Sequence, residues 1–347
     1  MSKTSPLSRR AFNGVAAAAL AAPVLPLAAR PVRAQSKKAV TFLLDVPAYS
    51  KHALFYPAIE NGYFARRGLD VTFNAGKGSS DVAQKVASKG AEFGFVDAGS
   101  VILARGRGMP VKLVGMVHYK NMMTVIGTTN PPIKTPKDLE GLKIAANAGD
   151  AVRTGLSAVA KINNVDINKM SFVTVETSNK RPLLFAGQLD ACCDYSVNMP
   201  VYKAGAAKVG KEVSQVLFSD FGLDIYSNGL MTRDDVLKSD PAMVRAFNDA
   251  MVESMIFAIE NRADAVRIFQ KFNPQSDAEL TRAGLDVAIN HLLVPEVLEN
   301  GIGPMSAEKM GKTIEVMKAY FALAGSVAVD DVMSNAYVTP GQKPKQV

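Results

Sequence analysis

The chain has 347 residues, of which 48% are hydrophobic and 21% are charged. This composition is that of a globular protein and excludes a collagen-like, coiled-coil or wholly disordered chain. The formal net charge of +8 would fit a partner such as nucleic acid or an anionic membrane. However, five basic residues and no acidic ones lie in positions 1–34, so that 35 basic residues remain against 32 acidic ones, a charge of +3. No basic stripe with interleaved aromatic residues follows, and we predict no nucleic-acid partner.

Residues 1–34 have the layout of a cleavable export signal. Basic residues come first, an alanine-rich apolar run follows at residues 11–29, and a small residue, Ala34, ends the segment. The sequence S-R-R-A-F at residues 8–12 resembles the twin-arginine (Tat) export signal. An uncleaved membrane anchor is the alternative, but two prolines interrupt the run and alanine dominates it. We therefore predict a periplasmic protein that begins at Gln35 and has no stable membrane insertion.

Strand and helix patterns alternate in the part of the chain that follows. Short apolar or alternating runs predict strands at residues 40–44, 69–73 and 93–96. Helical spacing predicts a helix at residues 53–64, and serine and aspartate caps begin another over residues 79–90. The order is strand, helix, strand, helix, strand, which is typical of an α/β unit.

A second series of the same kind begins after a pair of prolines at residues 131 and 132. It predicts strands at residues 143–146, 171–175 and 191–195, with helices at 152–162 and 181–186. Two α/β units in one chain are the simplest account of both series.

The last hundred residues change in character. Helical spacing bounded by Pro or Gly covers residues 241–272, 277–293 and 306–324. We predict that these helices cover the two α/β units.

The two cysteines and three histidines indicate no disulfide framework and no metal site. Cys192 and Cys193 are neighbours on a predicted strand, so their side chains point to opposite faces, which favours buried free thiols over a bridge. His52, His118 and His291 lie far apart in the sequence. We predict neither a metal nor a cofactor.

Four motifs follow one another in the first half of the chain. They are L-D-V-P-A with H-A-L-F-Y-P-A at residues 44–58, N-G-Y-F with G-L-D-V at 61–71, G-A-E-F-G-F-V-D at 90–97, and K-D-L-E-G-L-K-I at 137–144. In order and spacing they resemble the SsuA/THI5-like (NMT1-like) family of solute-binding proteins.

The resemblance implies the type II periplasmic-binding-protein fold, in which two α/β lobes, each a doubly wound sheet flanked by helices, are joined by hinge strands. We place lobe 1 at residues 35–126, lobe 2 at 127–226, and the return to lobe 1 with the C-terminal helices at 227–347.

The resemblance also implies a function. It is that of a receptor, expected to be a monomer, that closes on a small organic solute and delivers it to the transmembrane subunits and cytoplasmic ATPase of an ABC import permease. The ligand would be a pyrimidine or thiamine precursor or a related planar heterocycle, with a sulfonate, nitrate or aromatic carboxylate as the alternative. A pyrimidine synthase of the THI5 type is a further alternative. The export signal and the lack of both a C-C-C-F-C motif and a nucleophile signature favour a protein that is not an enzyme.

In such a fold the ligand crevice lies beyond the carboxyl ends of the strands. The candidate ligand-binding residues at these positions are, in lobe 1, Asp45, Tyr49, His52, Tyr56, Gly78, Ser79, Ser80, Asp97, Ala98 and Tyr119, and in lobe 2, Asn147, Gly149, Asp150, Arg153, Asp194, Tyr195 and Asn198.

The character of the ligand depends on a few of these residues. His52 stands where the family has a histidine that faces the ligand, although a histidine satisfied within the protein is the alternative. Val46 replaces the family's tryptophan, so any stacking has to come from Tyr49, Tyr56, Tyr119 or Phe221.

Charged candidates indicate two opposite kinds of solute. Asp45 and Asp97 would bind ligand amines or simply cap the next turn. Arg153, with Lys180 and Arg181, is the cationic set that a carboxylate or sulfonate would require.

Overall fold

The structure is a computed structural model, and it describes residues 37–128, 130–146 and 150–345. The predicted export signal, the start at Gln35 and the candidate residues Asn147 and Gly149 lie outside the described residues. None of the helices within these ranges is both long and apolar enough to cross a membrane.

Ten strands are present in the described residues. They are β1 (Lys38–Leu44), β2 (Leu69–Ala75), β3 (Phe93–Asp97), β4 (Val111–Met116), β5 (Met123–Gly127), β6 (Lys143–Ala145), β7 (Ser171–Val173), β8 (Ala191–Tyr195), β9 (Ser214–Leu217) and β10 (Asn228–Arg233). All six predicted strands are confirmed, and β4, β5, β9 and β10 are additional to them.

The helices surround these strands. In chain order they are α1 (Pro57–Glu60), α2 (Ser79–Ala87), α3 (Ala98–Gly106), α4 (Ala151–Ile162), α5 (Thr177–Phe185), α6 (Met199–Ala207), α7 (Asp234–Ser239), α8 (Pro241–Glu260), α9 (Arg262–Phe272), α10 (Ala278–Leu292), α11 (Pro295–Asn300), α12 (Ala307–Tyr320) and α13 (Val329–Val332). Short 3-10 helices include Ser50–Leu54, Ser196–Asn198 and Phe218–Phe221.

Two of the predicted helices differ from the structure. The single helix predicted at residues 53–64 is wrong: the segment holds the end of the 3-10 helix Ser50–Leu54 and then the four-residue α1. Pro57 has no N–H to donate into a preceding turn, so α1 begins there instead of continuing a longer helix. The helical segment at residues 241–272 is divided into α8 and α9 at Asn261, whose φ of −128° is not helical.

The strands form two five-stranded mixed sheets, which confirms the predicted α/β class. The first has the order β2-β1-β3-β10-β4 and the second β7-β6-β8-β5-β9. The chain crosses between the sheets after β4 and returns after β9, and the predicted lobe boundary at residue 126 falls inside β5. Strands β5 and β10, the first after each crossing, run antiparallel to their neighbours. This follows because the chain enters each sheet at the edge where the parallel strands end.

The two sheets have separate cores. Aromatic rings dominate the first, where Phe93 and Phe247 of α8 stack with centroids 3.9 Å apart and Phe42 lies 5.3 Å from Phe247. In the second sheet, Cys193 packs with the residues of one face and Cys192 with those of the other, and both thiols are buried and free. The prediction for the cysteines is thereby confirmed.

Helices α10 and α12 pack against both halves of the molecule. Helix α10 contacts the 3-10 helix Ser50–Leu54 of the first half and both Ser196–Asn198 and α6 of the second. Helix α12 contacts α3 and α4. The predicted covering role of the C-terminal helices is confirmed for these two.

We expect Phe247→Ala to lower the free energy of unfolding by about 3–5 kcal/mol, because it removes a fully buried ring from the aromatic core. Urea denaturation measures the change. Phe272→Ala, at a position that is 40% exposed, is the control and should cost about 1 kcal/mol or less. Equal losses in the two variants would show that the stacked rings are not central to the core.

Candidate functional site

Polar groups lie side by side at the edge of the first sheet where its parallel strands end. Asp45 follows β1, Asp97 ends β3, and Asn228 at the start of β10 pairs with Asp97. His118 lies two residues beyond β4, and its backbone N–H donates to the Asn228 carbonyl. The strand order therefore brings two predicted residues, Asp45 and Asp97, to one edge with His118, which was not among the candidates. We call this edge the first rim.

A buried ion pair forms the base of the first rim. Lys51 Nζ lies 2.6 Å from one oxygen of Asp45, and His52 Nε2 lies 2.8 Å from the other. Burial alone would raise the pKa of Asp45, but the charge of Lys51 and the hydrogen bonds from His52 and Lys51 outweigh it, so that the pKa lies well below its usual value. Burial lowers the pKa of Lys51, but Asp45 raises it more, to about 12. Both groups are therefore charged at neutral pH.

His52 is fully buried, and both of its ring nitrogens have protein partners. The backbone N–H of Tyr49 donates to Nδ1 at 3.1 Å, so Nδ1 carries no proton and Nε2 donates to Asp45. Burial lowers the pKa of His52, which keeps the imidazole neutral. This is the satisfied histidine considered above as the alternative, and its contacts hold Asp45 and the turn at Tyr49 in place.

Asp97 caps α3 and lies against the turn that begins α2. Its Oδ1 accepts from the Gly99 N–H at 2.9 Å, and its own backbone N–H donates to Ser79 Oγ at 3.0 Å. Gly78, with a φ of +112°, precedes Ser79, and its N–H donates to the Asp45 carbonyl at 2.6 Å. Burial raises the pKa of the Asp97 carboxyl to about 7. At neutral pH this carboxyl is available both as a donor and as an acceptor.

The second sheet presents a matching edge, which we call the second rim. At the end of β8, Asp194 accepts from Asn198 Nδ2 at 2.8 Å and from the Tyr202 hydroxyl at 2.7 Å. Beyond β6, Asp150 caps α4 and lies 3.5 Å from the buried Lys180 ammonium. Here the structure brings together the predicted residues Asp150, Asp194 and Asn198.

Tyr195 connects the two rims. Although 38% of the residue is exposed, protein groups surround its hydroxyl, and this burial raises the pKa well above the usual value. The negative charges of Asp97 on the first rim and of Asp150 on the second raise this pKa further. Tyr195, at the end of β8, therefore lies within electrostatic reach of carboxyl groups on both rims, and its backbone N–H donates to Asp194 at 2.7 Å.

A cavity of about 520 Å³ opens nearby. Both halves of the molecule line it, with Tyr49 from the first and Asn198 from the second, and the segment between α9 and α10 completes it. Its size is in the range of small-molecule binding sites.

Two predicted aromatic residues have rings that pack inside the protein. Tyr56 packs edge-on against Phe73 and Phe269 in the aromatic core. Tyr119 is fully buried, and its hydroxyl donates to the Pro304 carbonyl. Both rings are explained by packing.

The other candidates have contacts of their own. The Arg153 guanidinium lies 4.4 Å from the centroid of the Phe172 ring, beside the edge strand β7. Ser80 is exposed on α2, whereas Ala98 is buried and donates its N–H to the Ser227 carbonyl.

His291, on α10, contacts the segment between β4 and β5. Its Nδ1 donates to the Lys120 carbonyl at 3.2 Å, so Nε2 accepts from the Ser196 hydroxyl at 2.8 Å. Burial lowers the pKa of His291 to about 4. The neutral imidazole thus joins α10 to the second rim.

Lys51 is a residue that the sequence analysis missed. It precedes His52 between the strand predicted at residues 40–44 and the helix predicted at 53–64, where a lysine is ordinarily solvated. Its separation of six residues from Asp45 is not a helical contact spacing, so the sequence contains no signal for this pair.

Comparisons with known proteins agree with this architecture. A family described as NMT1/THI5 like matches residues 49–265, more than half of the chain. The chain belongs to this NMT1/THI5-like family. The predicted family and the predicted fold class are confirmed.

Individual members extend the comparison over most of the chain. The riboflavin-binding protein RibY of Chloroflexus aurantiacus is 25% identical over 90% of this chain and 88% of its own. The formylaminopyrimidine-binding protein of Halalkalibacterium halodurans is 24% identical over 87% of this chain and 91% of its own. The structure of the periplasmic aliphatic sulphonate binding protein SsuA from Escherichia coli superposes with a TM-score of 0.67 at 15% identity, covering 90% and 96% of the two chains. These matches confirm the prediction of a solute-binding protein and not an enzyme.

We expect Lys51→Met to lower the free energy of unfolding by about 3 kcal/mol, because it leaves the buried Asp45 carboxylate without its cation. Urea denaturation at neutral pH measures the loss. Lys85→Met is the matched control: Lys85 pairs with Asp81 at 2.8 Å but is 42% exposed, and should cost less than about 1 kcal/mol. The double variant Asp45→Asn, Lys51→Met should lose less than the sum of its single changes, and additive losses would contradict a coupled pair.

His291 should make the protein sensitive to mild acid. The unfolded histidine binds a proton near pH 6.5 and the folded one only near pH 4, so its stabilising contribution is present above pH 6.5 and is lost as the pH falls towards 4. Between about pH 7 and about pH 5 we expect a loss of about 2 kcal/mol from this residue. In His291→Gln, the free energy of unfolding should fall by about 2 kcal/mol less than in wild type between about pH 7 and about pH 5. An unchanged pH dependence would refute the low pKa of His291 in the folded protein.

Proposed function

We propose that the chain is a periplasmic receptor that binds a planar heterocycle in the crevice between its lobes and delivers it to an ABC import permease. The observation that carries the proposal is the position of Tyr195, which is 38% exposed at the end of β8 and whose hydroxyl is within electrostatic reach of Asp97 on the first rim and Asp150 on the second. An aromatic face for stacking, next to groups that accept N–H donors, fits a flat solute with polar edges.

The charges of the rims favour a solute that is not an anion. Asp97 and Asp194 lie at the carboxyl ends of β3 and β8, while Lys51 and Lys180, the buried lysines near the strand ends, each already contact an aspartate. A sulfonate or carboxylate that used either lysine would have to break a buried pair, which is strongly unfavourable. The two relatives described above are named for binding riboflavin and formylaminopyrimidine, which are both heterocycles, and they support the same class of solute.

The transport cycle that we propose uses the two crossings as hinges. Lobe boundaries would fall in the segments 117–122 and 218–227, since these connect the two sheets. A solute that contacts Asp97 on one rim and Tyr195 on the other would favour the closed arrangement that a permease recognises. Export by the twin-arginine signal and cleavage after Ala34 belong to this proposal.

We propose fewer ligand-binding residues than the sequence analysis predicted. Its members lie on the rims or line the adjoining cavity: Tyr49, Gly78, Ser79, Asp97, Asp150, Asp194, Tyr195 and Asn198. Asp45 and His52 serve as positioning residues below them.

Binding of defined solutes tests the function. We expect riboflavin or formylaminopyrimidine to raise the melting temperature of the purified chain, and a concentration 100-fold above Kd adds about 2.7 kcal/mol. Tyr195→Ala should weaken binding by roughly tenfold, as expected for a lost stacking contact. Tyr320→Ala, on the side of α12 beside Lys161, should leave it unchanged. Stabilisation by hexanesulfonate but by neither heterocycle would refute the proposed ligand class.

A further inference from the structure

The three histidines of the chain are all buried, but they differ in their hydrogen bonds. His52 and His291 each have partners for both ring nitrogens. His118, which is 0% exposed, has none for either Nδ1 or Nε2 among the described residues. Two unpartnered polar atoms on one buried ring are uncommon in folded proteins and call for an explanation.

The position of His118 places it on the first rim. Its backbone is held by the start of β10, where its N–H donates to Asn228 and its carbonyl accepts from Ser227. Its ring meets Phe95 edge-on with centroids 5.7 Å apart. The same Phe95 ring lies 5.8 Å from the His52 ring and 5.1 Å from Lys51 Nζ.

The surroundings of His118 keep the imidazole neutral. Burial lowers its pKa well below the usual value, and the charge of Lys51 and the proximity of His291 and His52 act in the same direction, whereas Asp45 opposes them. A neutral imidazole presents one N–H donor and one lone pair.

A second unpartnered group lies on the same crossing between the sheets. Asn121 is 1% exposed, and its side-chain oxygen accepts from the Met123 N–H at 2.8 Å. Its Nδ2 has no partner among the described residues. Two buried groups with free hydrogen-bonding capacity thus lie within four residues, on the segment that joins the rims.

We propose that His118 and Asn121 form the base of the ligand crevice, where the imidazole donates to one ring or carbonyl atom of the solute and accepts from an N–H, while the Asn121 amide donates to a second acceptor. This inference rests on the proposed function and adds to it a requirement on the solute. An amino- or oxo-substituted heterocycle supplies both donors and acceptors, whereas a sulfonate has no N–H for the imidazole lone pair.

The experiment compares His118→Phe with wild type for stability and for binding. Phenylalanine fills a similar volume without polar atoms, so we expect the unliganded variant to be at least as stable as wild type in urea. Affinity for whichever probe wild type binds, among riboflavin, formylaminopyrimidine and hexanesulfonate, should fall by about tenfold or more. His118→Gln, which keeps a donor and an acceptor, should recover part of that loss. Tyr320→Ala, the control used above, should leave the affinity within about threefold of wild type.

The outcomes separate this inference from the proposed function. Undiminished affinity in His118→Phe, or a marked loss of stability without solute, would overturn the inference, since the latter would show that the ring is bonded within the protein through buried water. Binding of hexanesulfonate alone would refute the proposed heterocycle, and an affinity for it that His118→Phe leaves unchanged would refute the role of His118 as well.

Discussion

The structure depends on one constraint, which is that the chain passes from one sheet to the other at the edge where the parallel strands end. Because β4 ends at this edge, the next strand, β5, has to run away from it and pairs antiparallel in the second sheet. The return through β10 repeats the arrangement in the first sheet. Each crossing therefore places its polar residues between the rims, and the segments that follow β1, β3 and β8 begin at these edges.

Within this frame, the first rim is rigid where it is buried and adaptable where it meets the crevice. The side chains of Asp45, Lys51 and His52 are hydrogen-bonded to one another. Asp97 and Tyr195 lie nearer to the crevice, with pKa values that burial raises. A rigid set of buried polar residues that supports a second set able to bind a solute allows one architecture to accept different solutes.

Much of the fold could be predicted from the sequence, because buried strands are short apolar runs and the family motifs lie in their connecting loops. The predictions that failed concern residues whose structure depends on tertiary contacts. The helix expected at residues 53–64 is divided because Pro57 begins a new turn and His52 bonds to Asp45 instead of facing outward. Lys51 looks like a surface lysine until the fold brings Asp45 against it. His118 shows no signal in the sequence, since lacking a partner is a property of the folded surroundings alone.

Helix α10 has a consequence for how the molecule unfolds. It packs on the 3-10 helix Ser50–Leu54 of one half and on Ser196–Asn198 and α6 of the other, although each half has a sheet and a core of its own. Loss of either half would expose one side of the same helix to water. The two cores are therefore thermodynamically coupled, so the described chain is expected to unfold as one cooperative unit and not lobe by lobe.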